Sequence, residues 1–463
     1  MRNRLQAGLG NGLLLSGPAT ALLSALLAAL LGVVLYKLGS PQHQLKAGLG
    51  VLAIVVLAIV ALRPALGLGI VVAAMPFEFT VQHAGTNEVL IFSAAAVLMW
   101  RIRTRDVPWW VGLGSFALVI GSLLTVVAAR NQGSALWGGI RWLGVLILLA
   151  AAFSVFRERP DANRRLMDII TCSAVVVVGF AYLQRAGIYT IVGPPYVPGL
   201  VDSTFGYYTV YGGFVGMAAV LATGEALHSF ANQERTRGLA YGVALVIILL
   251  GVAASLSRGA LLCVGAGWVV LLVLSLRRAS VVARAIALIA IFVAVGYIAT
   301  PAQTRTEFLN RFSAPIGQQT EDRQRFALQA TGRHALAHNP LGLGYGNFSY
   351  YLEGHPALGT GTAVFFHSHQ LPTQIGLDAG WLGLAGFLIL FAGALISAIR
   401  ASGHGGIRNT AFAAALCGLM AQGLFDYLFY EISMVALWVA LLFGATHGAR
   451  RLAGSSRTST FAR

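Results

Sequence analysis

Residues 238–276 read GLAYGVALVIILLGVAASLSRGALLCVGAGWVVLLVLSL, and across those 39 positions the one charged side chain is Arg258. A bilayer core takes roughly 20 apolar residues per helix, because a backbone N–H or C=O left unpaired in lipid costs several kcal/mol. The stretch divides at Ser255-Leu-Ser-Arg-Gly-Ala260 into apolar runs at 238–254 and 259–276, which read as two membrane helices joined by a very short polar hairpin. Runs of the same kind recur on both sides. Bounded by charges and Gly/Pro clusters, they give candidate spans at 17–38, 47–62, 65–77, 88–100, 108–129, 136–156, 167–184, 208–228, 238–254, 259–276, 281–300, 374–399, 409–427 and 431–448. The second and third are short and meet at Arg63-Pro64, so a broken pair or helical hairpin there lowers fourteen spans to twelve.

Composition agrees with this reading. Of 463 residues, 57% are hydrophobic and 10% charged, with a mean hydropathy of +0.75, whereas soluble domains carry about a quarter charged residues. The expected fold is therefore an all-α membrane protein, a polytopic helical bundle of 12–14 transmembrane helices with one large extracytoplasmic loop. Residues 1–300 hold helices 1–11, residues 301–371 form the loop, and residues 372–463 hold helices 12–14 and a cytoplasmic tail. The net charge of +16 comes from Lys and Arg scattered over short loops, which excludes nucleic acid as the natural partner and points to membrane orientation. With the amino terminus inside, the inside segments collect 21 cations and the outside segments 10, the sense favoured by the positive-inside rule. Both termini are then cytoplasmic. The basic start lacks a clear cleavage site and reads as preceding a retained first span. Cys172, Cys263 and Cys417 lie inside apolar runs without metal spacing and read as buried small hydrophobes.

Charge at membrane depth is costly, so the few outward or intramembrane cations and the histidines beside them carry the chemical information. Arg130 ends the fifth span, Arg141 lies one turn inside the sixth, Arg185 closes the seventh, and Arg258 sits between Ser257 and Gly259 in the short hairpin. Small neighbours leave room at Arg258 for a phosphate, to which a guanidinium offers a two-pronged fork. The loop opens with a stretch rich in Arg and Gln, Thr304 to Arg333, that reads as one or two surface helices. It continues through Asn339-Pro-Leu-Gly-Leu-Gly-Tyr-Gly-Asn-Phe348 and ends in Phe365-Phe-His-Ser-His-Gln370, just before a span that carries Asp378 and Gly380. His367 and His369 lack the further ligands a metal needs nearby beyond Glu353 and His355. A histidine acting as base or proton shuttle needs only an orienting acid and a pKa near neutrality.

At these residues the sequence resembles the O-antigen ligase and polymerase superfamily of bacterial envelope glycosyltransferases, over about the carboxyl-terminal 60% of the chain. The family pattern has His-Asn, then Gln, an acid and two glycines. His369, Gln374, Asp378, Gly380 and Gly383 fall on that spacing, with Gln370 in place of the Asn. The run from Asn339 to Phe348 and Ser257-Arg258-Gly259-Ala260 are similar to two further family elements, as is Thr204-Phe205-Gly206, although Tyr207-Tyr208-Thr209 follows where Asn-Pro-Asn is usual. The resemblance implies transfer of a glycan from undecaprenyl diphosphate to an acceptor hydroxyl at the periplasmic face of the inner membrane, with no metal or nucleotide cofactor. His369 and Arg258 would be catalytic, and Arg185, Arg130, Arg141, Gln370 and His367 would bind substrate. The implied partners are the lipid-linked donor, a glycan or lipid A-core acceptor, membrane lipids and polysaccharide-assembly proteins. A transporter or flippase of lipid-linked saccharides is the alternative class, favoured only by the break at Arg63-Pro64.

Overall fold

The computed structural model describes residues 54–55, 57–77, 80–81, 84–188, 194–197, 199–276, 302–313, 320–355, 366–402 and 406–447, with isolated positions between 283 and 298. The expected span at 17–38, most of that at 281–300 and half of that at 47–62 lie outside them. The chain forms two compact units, Met1–Leu62 and Arg63–Arg463. In the second, the helices are α1 (Pro64–Ala74), α2 (Thr86–Leu98), α3 (Trp109–Leu124), α4 (Gln132–Val155), α5 (Ala162–Arg185), α6 (Tyr208–Ala231), α7 (Arg235–Ser255) and α8 (Arg258–Ser275). They are followed by α9 (Ala302–Ser313), α10 (Thr320–His338), α11 (Phe348–Glu353), α12 (Leu371–Ser402), α13 (Ile407–Gly423) and α14 (Ile432–Thr446). A two-residue antiparallel pair, β1 (Thr80–Val81) and β2 (Ala84–Gly85), precedes α2.

Among the described residues, seven helices are long and apolar enough to cross a membrane: α3 with its short extension to Val127, α4, α5, α6, α7, α8 and α12. The shorter apolar helices α1 and α14 add to them. The fold is an all-helical polytopic membrane bundle.

Several helices run past the ends that hydropathy suggests, because polar residues there are satisfied inside the protein. The span expected from 136 begins at Gln132, where Asn131 caps α4 by accepting the Ser134 N–H at 3.0 Å. The span expected from 167 begins at Ala162, and buried Asn163 donates to the Gly444 carbonyl at 2.8 Å. The span expected over 409–427 instead ends at Gly423 and gives way to a turn at 424–431. Two separate helices, α9 and α10, form the polar stretch of the loop.

Packing follows membrane rules, in which close approach of small residues replaces hydrophobic drive between helices. On α3, a Cβ added to Gly121 would lie 2.5 Å from the Gly383 N, and one on Gly114 would lie 2.9 Å from the Gly386 carbonyl of α12. Helix α6 is buried from Tyr208 to Leu227, against α5, α7, α8 and α13. Near its far end Glu225, fully buried, accepts from Arg237 Nε at 2.7 Å and Arg408 Nε at 2.6 Å, and Arg237 also holds Asp168 at 2.6 Å. Helices α5, α6, α7 and α13 are thereby fastened at one end; deleting one partner would strand a buried charge at about 3–5 kcal/mol. Cys263 is buried and Cys417 half-buried, but Cys172 is exposed on the outer face of α5, contrary to the expectation for all three. A lipid-facing position accepts a thiol as readily as a core does.

Candidate active site

The segment from Asn339 to Phe348 and the start of α12 are built for each other. Within α12 the backbone breaks at Gly380, with φ +67° and ψ −179°, a conformation essentially restricted to glycine. The break exposes backbone groups that the incoming loop uses: Leu343 N–H and Gly344 N–H donate to the Leu377 carbonyl at 2.7 and 3.0 Å, and Trp381 N–H donates to the Pro340 carbonyl at 3.1 Å. Gly342, at φ +82°, lies so close that an added Cβ would sit 2.7 Å from the Gly380 N. This clasp fixes the first turns of α12 and the residues just before them.

Those residues present His369. Its φ of +53° is unusual for a side-chain-bearing residue, and the bend is held from both sides. Gln329 of α10 donates to the His369 carbonyl at 3.0 Å, while the preceding Ser368 N–H donates to Gln374 Oε1 at 2.7 Å. His369 Nδ1 then meets Asp426 Oδ1 at 3.1 Å, with the two side chains 13% and 8% exposed. Asp426 lies in the turn between α13 and α14, and its Oδ1 also accepts the Tyr427 N–H at 2.9 Å. Tyr427 OH donates to Asp378 Oδ2 at 3.0 Å, and Asp378 Oδ1 accepts from Gln374 Nε2 at 2.8 Å. The circuit His369, Asp426, Tyr427, Asp378, Gln374, Ser368 is closed, so the carboxylate and imidazole are oriented by one continuous polar network. Gln374 and Asp378, two of the motif positions, act here as its struts.

Burial works against charge on Asp426, but the His369 hydrogen bond and the nearby Arg325 guanidinium outweigh it and hold the carboxyl well below its ordinary range. Arg325 on α10 is raised in turn: burial opposes its charge, and the Asp426 field and the Tyr208 hydroxyl, to which it donates at 3.2 Å, more than offset this. One helical turn earlier, Asp322 binds Arg258 at 2.9 Å, with side chains 14% and 24% exposed. Arg258 opens α8, whose Ser257 caps it by accepting the Ala260 N–H. A Cβ on the adjacent Gly259 would lie 2.9 Å from Gln422 Cγ, and Gln422 O accepts the Asp426 N–H at 3.1 Å. Arg258 and His369 therefore belong to one cluster, bridged by Asp322 and Arg325 on α10 and by Gln422 on α13.

His367 stacks flat on Tyr430, 5.4 Å between centroids at 9°, and lies edge-on to His369 at 4.3 Å. Burial first, then repulsion by His369, lowers its pKa to about 3, and its buried Nδ1 lacks a hydrogen-bond partner. Buried Arg141 supports the same wall: Nη2 donates to the Tyr430 carbonyl at 2.7 Å, the guanidinium covers the Tyr345 ring at 4.7 Å, and Glu88 stands 3.6 Å from Nε. Gln370 faces Thr373 and Arg333, accepting at 2.6 and 3.4 Å. Arg130 is on the surface, paired with Glu353 at 2.9 Å and lying over Tyr350. Arg185 ends α5 half-buried, next to Gln184. The geometry thus gathers His369, His367, Arg258 and Arg141, and leaves Arg130 in a separate exposed pair.

Two residues of the cluster were not singled out from the sequence. Asp426 was absorbed into an apolar run, although a lone acid there is itself a signal. Arg325 was read as part of a solvated helix, and its spacing from Asp322 and Gln329 on one helical face was the available clue. Among the described residues, no three His, Cys, Asp or Glu side chains converge as a metal cage would require.

No curated protein matches the chain. Residues 243–388, from α7 to beyond the Gly380 break, match the family model described as O-antigen ligase. That interval holds Arg258, Asp322, Arg325 and His369 in the cluster just described, and stops before Asp426. Over residues 243–388 the chain is therefore similar to the O-antigen ligase family, and the match supports a place in that superfamily and glycan transfer of ligase or polymerase type.

Proposed function

We propose that this protein transfers a glycan from undecaprenyl diphosphate to an acceptor hydroxyl at the periplasmic face of the inner membrane, with His369 as general base. The observation that carries the reading is the His369–Asp426 pair at 3.1 Å beside the charged Arg325. With Nδ1–H donating to the carboxylate, the lone pair of Nε2 is left to take the acceptor's proton, and the carboxylate steadies the imidazolium that forms. The acceptor oxygen bonds to the anomeric carbon as the bond from that carbon to the diphosphate oxygen breaks, and undecaprenyl diphosphate leaves with the electron pair. Attack opposite the leaving group inverts the anomeric carbon.

The departing diphosphate needs fixed positive charge. Arg258 and Arg325 face it in this proposal, with Arg185 beyond them, and supply the compensation that a divalent ion gives elsewhere. Asp322 sits on Arg258 where a phosphate oxygen would bind, so donor entry exchanges one anion for another on the same guanidinium. Gln370 and His367 border the acceptor side, Arg141 holds the wall behind them, and Arg130 would meet acceptor phosphates at the rim. Most of these groups stand at helix ends or in the segment between helices, which fits transfer at the surface better than passage through the midplane.

The test is His369→Ala, purified and reconstituted in proteoliposomes with the lipid-linked donor and an acceptor. Loss of transfer with normal folding is expected; retained turnover rejects the assignment. Whether the product is a ligated finished chain or a longer polymer is read from the same reaction by mass.

A further inference from the structure

One part of the outward surface is built in a way that the chemistry above does not require. Tyr196 is 76% exposed, yet its backbone is pinned: its N–H donates to Asp202 Oδ2 at 2.7 Å. Asp202 is 4% exposed, and its Oδ1 accepts from Gln184 Nε2 at 2.6 Å, while Gln184 Oε1 takes the N–H groups of Asp202 and Ser203 at 3.1 and 3.0 Å. A tyrosine serving only as an interfacial anchor needs no such buried scaffold. From Tyr196 the rings continue inward: Tyr196 to Tyr207 at 5.8 Å, Tyr207 to Tyr208 at 5.0 Å, both tilted. Tyr207 packs on a small core of Leu200, Tyr208 and Leu256, two residues before Arg258. The Tyr208 hydroxyl receives Arg325 at 3.2 Å, and Arg325 faces Asp426 and through it His369.

We propose that Tyr196 and Tyr207 form a saccharide-stacking subsite, which holds a sugar ring of the glycan as it runs from solvent toward His369. The inference rests on the glycan-transfer reading of the site. A pyranose presents a face of C–H groups rimmed by hydroxyls, and a tyrosine matches it with a rigid apolar face and a polar edge at low entropic cost. The ladder is continuous with the catalytic cluster, which sets its occupant as the substrate's own saccharide.

The experiment uses the full chain in nanodiscs and, as probe, the saccharide released by mild acid from the producing cell's own polyprenyl-linked glycan. Saturation-transfer NMR on the sugar C–H protons reads binding, and transfer kinetics in proteoliposomes read KM and kcat. Combined Tyr196→Ala and Tyr207→Ala should cut saturation transfer at least ~5-fold and raise KM ~10-fold with kcat held within about 2-fold, the mark of lost binding rather than lost chemistry. Tyr→Phe at both positions should keep both readouts near the parent. Unchanged saturation transfer and KM in the alanine pair overturn the proposal, as does an effect confined to melting temperature, which is the signature of a lipid anchor. If the alanine pair does not fold, Tyr196→Leu keeps apolar bulk without the aromatic face; loss of binding supports the subsite and retained binding overturns it. Measured on the His369→Ala background, probe binding is independent of turnover, so failure of the transfer mechanism and failure of the subsite are read separately.

Discussion

Replacing Asp426 with Asn leaves shape nearly unchanged and removes one charge from the closed network around His369. The amide oxygen can still accept the Tyr427 N–H that now reaches Oδ1 at 2.9 Å, so the turn at 424–431 should survive. What is lost is the anion 3.1 Å from Nδ1. At an effective dielectric constant of about 20, two unit charges at that separation interact by about 5 kcal/mol, which is a ceiling. A hydrogen bond to a charged group contributes about 1.5–3 kcal/mol net. Taking ~2–3 kcal/mol at 1.36 kcal/mol per decade, kcat/KM should fall ~30- to 160-fold. The loss should fall mainly on kcat, because the imidazolium exists only after the acceptor proton has moved. The assay is initial rate against donor concentration in proteoliposomes, with melting temperature as the folding control. Activity within about threefold of the parent, in a protein where His369→Ala is dead, would refute the orienting role of the carboxylate.

Three further outcomes follow from the geometry. Gly380→Ala puts a Cβ 2.7 Å from the Leu341 carbonyl oxygen at a φ of +67°, which should cost at least about 3 kcal/mol and be seen as lost folded yield or a sharply lower melting temperature; a variant as stable as the parent would show that the clasp does not hold α12. His367 is kept neutral when folded, with its pKa lowered from 6.5 to about 3, and takes a proton when unfolded. Its contribution is therefore full above pH 6.5 and drains away as pH falls toward 3, so His367→Phe should flatten the acid side of a stability profile, and an unaltered profile would count against this. Arg130 and Glu353 are 66% and 59% exposed, so Arg130→Ala should change stability by less than about 1 kcal/mol; a several-fold rise in acceptor KM at unchanged melting temperature would mark it as a rim contact for substrate.

The helical membrane architecture was legible because apolar runs of spanning length have one reading in a bilayer, and residues 238–276 display it without any other information. Helix ends were less legible. Hydropathy sees Gln132 or Asn163 as exterior, while the fold satisfies such residues with a cap or a neighbouring carbonyl. The histidine of the candidate site stands out by its setting before a span, and Arg258 by its short hairpin. Asp426 was hidden inside the apolar run read as the span 409–427, and only the early end of α13 at Gly423 places the acid in the turn beside His369. Arg325 looked like one of several loop arginines. Its selection depends on α10 laying one face against the ends of α6, α8 and α13, which no local pattern encodes.

Leu343 and Gly344 borrow a carbonyl, and Pro340 an amide, that a continuous helix would have kept for itself, so residues 340–344 are moored to α12. In the proposed reaction, clearance for a glycan would have to come from the side where Arg325 of α10 meets Tyr208. For protein engineers this divides the outer surface into a part that tolerates redesign toward new sugars and a keel that does not.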